Sequence, residues 1–201
     1  MAWIVAIGVT AALLVVVGVI IYVRKKQASE AWGAFARENG LEFIDGGSVG
    51  QSMLSGRYRG EEIEVQTESR THHHGSGNAN RATYTVYKAP LPGSVPVELL
   101  AFNNDTPLSR IQGGFGRDTV EVGIPEVDET YDVRSSAPAA VREFFSRPGV
   151  VEAFGKLDET LEHFYYVDYG EIVIECAALE RSRQGLESQL DALVEFVKAM
   201  S

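Results

Sequence analysis

The stretch Met53 to Ser69, MLSGRYRGEEIEVQTES, decides the fold of the domain. Met53 to Tyr58 and Glu61 to Ser69 flank Arg59-Gly60, a two-residue hairpin signal. In the second half Ile63, Val65 and Thr67 alternate with Glu62, Glu64 and Gln66. A period of two gives one buried and one wet face, the pattern of an antiparallel sheet covered on one side.

Working outward, more strands follow. Arg81 to Lys88 alternates in the same way, with Tyr84 and Val86 on one side. Arg70 to Asn80, polar and glycine-bearing, reads as a long hairpin loop between them. Strands are also expected at Val97 to Phe102, Thr119 to Val122 and Tyr131 to Arg134, with Pro90, Pro92 and Pro96 marking a turn region. A hairpin runs from Leu161 to Val167, turns at Asp168-Tyr169-Gly170 and returns through Glu171 to Cys176.

Helices are segregated from these strands. Ala28 to Asn39 is helical and ends at Gly40, which suits the left-handed position after a helix, with Leu41 as the apolar residue beyond it. Ser136-Ala137-Pro138 starts another, with Ser136 as cap, and a short one spans Val150 to Lys156. The last helix, Gln184 to Met200, carries Leu186, Leu190, Leu193, Val194 and Val197 as a 3.6-period stripe. The fold class is α+β: a mainly antiparallel sheet with a C-terminal amphipathic helix packed on it.

Ahead of the domain lies Trp3 to Val23, 21 residues without a charge, thirteen of them Ile, Leu or Val. As a helix the run is ~31 Å long, the thickness of the hydrocarbon layer, so an N-terminal transmembrane helix is expected. Trp3 and Tyr22 fall at the two interfaces. A cleaved signal peptide does not fit: no basic residue precedes the run, the run is too long, and the basic cluster follows it. Arg24-Lys25-Lys26 orients the span with the N-terminus outside and the domain in the cytoplasm. Residues 1–26 are then a single-pass signal-anchor with its basic stop, and residues 27–201 one domain. Gly8 and Ala12 form a small-x-x-x-small pair suited to a homodimer through the span.

The charge of the chain is −10. Setting aside the three basic residues at the anchor leaves 15 basic against 28 acidic residues, a domain charge of −13. A nucleic-acid partner is excluded by repulsion from the phosphate backbone. The partners expected are the lipid bilayer and a protein.

Catalytic and cofactor motifs are absent. Gly113-Gly114-Phe115-Gly116 lacks the lysine of a phosphate loop. The acidic pairs Glu61-Glu62, Asp128-Glu129 and Asp158-Glu159 suit turns in so acidic a chain. Asn104-Asp105-Thr106 matches a glycosylation site that a cytoplasmic domain would not use. Cys176, the single cysteine, allows no internal disulfide and reads as a small buried hydrophobe. Phe164, Tyr165, Tyr166 and Tyr169 make an aromatic cluster that serves either packing or contact. His72-His73-His74 is the one metal-ligating cluster; it is the basis of an alternative reading as a metal-binding sensor or enzyme.

The block Thr119 to Ser136, TVEVGIPEVDETYDVRSS, resembles a segment of uncharacterised bacterial membrane-anchored proteins with a domain of unknown function. There too a strand ends in glycine, an acidic turn with Asp follows, and an aromatic strand leads to a polar helix start. The flanking helix at Trp32 to Leu41 and the hairpin at Ser55 to Val65 are similar as well. Those proteins usually carry an aromatic before the Asp, where this chain has Val127. The resemblance implies this architecture and no activity.

Overall fold

The computed structural model describes residues 2–47, 50–73, 79–92, 99–103, 118–160, 164–168, 170–176 and 179–200. Side chains are described for these except at 2–12, 14, 72–73, 79–81, 102–103, 158–160, 164–166 and 168.

The first element, α1 (Ala2–Asn39), is one helix of 38 residues. No proline interrupts it, and its end is built as the sequence predicts. Gly40 takes φ +68°, a conformation costly for any residue with a Cβ, and the Leu41 N–H donates to the Ala36 carbonyl at 2.9 Å. Leu41 then turns into the core beside Trp32, Phe35 and Ala36 from the same helix. Trp32 Nε1 donates to the Glu180 carbonyl at 3.1 Å, and the Phe35 ring lies 5.5 Å from that of Tyr58. The last turns of α1 are therefore part of the domain core.

Among the described residues nine strands follow: β1 (Glu42–Ile44), β2 (Met53–Tyr58), β3 (Glu61–His73), β4 (Ala79–Pro90), β5 (Leu99–Asn103), β6 (Asp118–Thr119), β7 (Tyr131–Ser135), β8 (Phe164–Asp168) and β9 (Glu171–Cys176). They form one sheet in the order β1-β2-β3-β4-β9-β8-β5-β7-β6, and every described pairing is antiparallel. The β2–β3 turn has φ 50° at Arg59 and 98° at Gly60. Two positive φ values match the twist of the strands they join, so this turn fixes the register that pairs Tyr58 with Glu61. With that register set, Leu54, Val65, Tyr87, Ile174, Tyr165, Ala101 and Val133 line up across seven strands.

That face is covered by helices. Between β6 and β8 lie α2 (Pro125–Thr130), α3 (Pro138–Ser146) and α4 (Val150–Thr160), and α5 (Arg183–Ala199) closes the chain. All five residues of the predicted stripe on α5 are buried, together with Phe196. Ser182 caps α5 by accepting the Gly185 N–H at 2.9 Å. Phe145, Phe154 and Phe196 stack edge to face between α3, α4 and α5, with centroid distances of 5.5 and 6.1 Å.

Several boundaries differ from the sequence reading. The loop expected at Arg70 to Asn80 is mostly ladder: β3 runs on to His73 and pairs through to Ala79. Arg70 explains part of this. It donates to both Glu175 oxygens at 2.6 and 2.7 Å, to Glu68 at 2.6 Å, and lies 5.1 Å over the Tyr84 ring. A cation tied to β9 and β4 holds a polar strand in place without apolar burial. The strand at Thr119 to Val122 shrinks to Asp118–Thr119, because Asp128 accepts the N–H groups of Val122 and Gly123 at 2.7 and 2.8 Å and bends the chain into α2. Ser136 is not the cap of α3; Ala137 holds that position, and the neighbouring Ser135 hydroxyl accepts its N–H at 3.0 Å. β1 and α2, too short to show a period, were not expected.

Among the described residues no helix is long and apolar enough to cross a membrane. The expected span starts within residues 1–12, whose side chains lie outside the description.

Candidate functional site

Every described large apolar side chain of α1 from Leu13 to Val23 is exposed, by 43 to 65%. Val15, Val16 and Val17 point in three directions around the helix, so among the described residues none of this segment is buried against the domain. Tyr22 is exposed at its end, and Arg24, Lys25 and Lys26 follow in the next turn. Exposed apolar surface on this scale needs a partner. The helix becomes buried at Ala28 and stays so on one side through Ala36.

A cleft of about 660 Å³ opens at this transition. One wall is α1, chiefly the face that carries Gly18, Ile21, Tyr22, Lys25, Ser29 and Trp32, spaced by three and four, with Lys26 and Glu30 at its margin. The other wall comes from the β1–β2 connection, with Asp45, Gly47, Gln51 and Ser52, and from Thr67, Ser69 and Thr83 on the sheet. The sheet wall has a sequence cause. The core face of β3 reads Ile63, Val65, Thr67, Ser69, so it turns from apolar to hydroxyl where the helical cover ends.

Hydrogen bonds tie the two walls together. The Ser29 hydroxyl donates to Asp45 Oδ2 at 2.7 Å, and the Gly47 N–H donates to Oδ1 at 2.9 Å. These donors, Ser29 first, hold the Asp45 carboxyl below its ordinary range. Gly46 must be glycine: a Cβ there would meet the Gln51 carbonyl carbon at 2.3 Å. The Ser52 N–H donates to the Thr67 hydroxyl at 2.9 Å, and Ser52 Oγ accepts the Gly46 N–H at 3.3 Å. Lys25 and Lys26 bring positive charge to the lip, with Lys26 Nζ 3.8 Å from Glu30.

The other sequence candidates fall elsewhere. His72 and His73 sit in the β3–β4 ribbon, register partners of Asn80 and Ala79, and His74 lies outside the described residues. Among the described residues no group of three or more His, Cys, Asp and Glu is placed to hold a metal. The side chains of Trp3, Gly8 and Ala12, and those of Phe164, Tyr165 and Tyr166, are outside the description, as are Tyr169, residues 104–106 and residues 113–116 entirely. Cys176 is 4% exposed, and burial, then Glu180 and Glu175, push its thiol up to about 12. It is a packing residue with no thiolate at neutral pH. Asp128 works as a backbone cap, the role of an acidic residue on a turn.

The cleft went unread in the sequence. Its one local trace is Asp45-Gly46-Gly47 shortly before a strand, which signals a turn and nothing of the helix it faces.

No family model and no curated protein matches the chain. Among solved structures, the crystal structure of the mycobacterial trehalose monomycolate transport factor A, TtfA, is similar. It has a TM-score of 0.57 and 11% identity, over 86% of this chain and 94% of that one. At that identity the likeness shows a shared α+β fold.

Proposed function

We propose that this chain is a membrane-tethered cytoplasmic interaction domain. Trp3 to Val23 crosses the bilayer, Arg24, Lys25 and Lys26 hold the cytoplasmic end, and the domain serves as a scaffold for a protein partner at the membrane surface. The observation that carries the reading is the continuity of α1. A helix apolar on all sides from Leu13 to Val23 runs without a break into a core anchored by Trp32 and Phe35. A domain joined this way cannot swing as on a flexible linker, and tethering raises its concentration near membrane partners. TtfA is by name a transport factor. By analogy of fold alone, a membrane transport protein is the partner to seek first.

The test has two parts. Native membranes are washed with alkaline carbonate, and a reporter is fused after Ser201. Retention in the pellet with a reporter active in the cytoplasm is expected; release to the supernatant would overturn the tether, and activity outside would overturn the orientation. The full chain is then captured from native membranes after mild cross-linking. A stoichiometric protein partner is expected, and capture of the chain alone would overturn the scaffold reading.

A further inference from the structure

We propose that the cleft beside α1 binds the headgroup of one bilayer phospholipid with a single phosphate and a hydroxylated tip, of the phosphatidylglycerol type. The inference rests on the membrane tether proposed above. Along α1 the cleft wall changes in the order of a lipid's own parts. Gly18, Ile21 and Tyr22 form an apolar lip continuous with the exposed run. One turn further, ~5 Å along the axis, stand Lys25 and Lys26, at the level where phosphates lie. Another turn on is Ser29, facing Ser52, Thr67 and Ser69.

The inner wall asks for oxygen. Thr67 is only 9% exposed, and its hydroxyl accepts the Ser52 N–H, which leaves its proton to donate. The Ser52 hydroxyl likewise accepts from Gly46. Among the described residues neither proton has an acceptor. Glu30 and Asp45 line the same cleft and offset the two lysines, so a headgroup with several phosphates is disfavoured while one phosphate and a neutral polyol fit. The volume, about 660 Å³, lies within the usual range for small-ligand sites.

The full chain is reconstituted into phosphatidylcholine nanodiscs containing phosphatidylglycerol, phosphatidic acid or neither, with matched acyl chains. Co-elution with the discs reads the tether; lipid retained after ejection into a mass spectrometer reads the cleft. Phosphatidylglycerol is expected to be retained about tenfold over phosphatidic acid, the worth of one to two hydrogen bonds. Thr67→Val, and Ser69→Trp, which fills the cleft from a more exposed strand position, should each remove that preference, with Ser69→Trp leaving the melting temperature unchanged. Equal retention of phosphatidylglycerol and phosphatidic acid, or variants that retain it like wild type, would overturn the proposal. Co-elution without retention defeats the cleft assignment alone. Failure to co-elute defeats the tether and this proposal with it.

Discussion

Truncating Trp32 tests whether α1 is rigidly built into the domain. Trp32 is 1% exposed, its ring centroid lies 6.4 Å from that of Phe43, and its indole N–H donates to the Glu180 carbonyl. Trp32→Ala removes the ring, opens a cavity between helix and sheet, and leaves that carbonyl without its donor. Tryptophan-to-alanine changes in cores cost about 3–5 kcal/mol, and the orphaned carbonyl puts this one at about 4. In a domain of this size each kcal/mol lowers the melting temperature by about 2–4 °C, so a drop of about 8–16 °C is expected. Trp32→Phe, which keeps much of the ring and loses the N–H, should cost about 1–2 kcal/mol. The assay is near-UV circular dichroism of the detergent-solubilised full chain during heating. Val15→Ala is the control, since Val15 is 65% exposed and touches no core, and it should leave the transition in place. A shift under about 2 °C for Trp32→Ala would refute the reasoning: the end of α1 would then lie on the domain without being part of its core.

Asp128→Ala should destabilise by about 1–3 kcal/mol in urea, because it frees two N–H groups, one from the buried Val122; Asp128→Asn, which keeps one acceptor oxygen, should lose less. Cys176 and Tyr58 both have values raised by burial to about 12, from 9.0 and 10.0, and for Tyr58 the hydrogen bond to Asp191 adds to it. A raised acid favours its neutral form when folded, so the Cys176 contribution is complete below pH 9 and that of Tyr58 below pH 10, and both fade as pH climbs from there towards 12; Cys176→Ala should flatten the lower part of that decline in urea titrations. The Cys176 thiol should not react with Ellman's reagent at pH 8 until the chain is unfolded. Replacing His72, His73 and His74 together with alanine should leave the melting temperature and its response to zinc and chelator unchanged; a zinc-dependent shift lost in the triple variant would instead support the metal-binding alternative.

Much of the domain is legible one segment at a time. Arg59-Gly60 announces a hairpin because few residues tolerate two positive φ values, and the stripe from Leu186 to Val197 announces a helix because one side must be buried. Gly40 announces the end of α1 for the same backbone reason as the turn. Each of these signals is local: it depends on a residue and its near neighbours. Where the segment reading failed, side-chain hydrogen bonds to groups outside the segment itself had decided the outcome. Arg70 keeps β3 extended by gripping Glu175, 105 residues away. Asp128 bends the chain by capping Val122 and Gly123 around an element too short to have a period.

The sequence by itself determined the α+β class, the main strands and helices, and an uncharged apolar run with its basic edge, since composition and periodicity are properties of the chain alone. Only the tertiary structure decided the order of the strands, the union of α1 with the core, and the cleft at their junction. Those depend on which surfaces meet. Ser29 meets Asp45, and Lys25 and Thr67 line one cleft, because the sheet packs against α1 in one orientation, and no spacing along the chain encodes that arrangement.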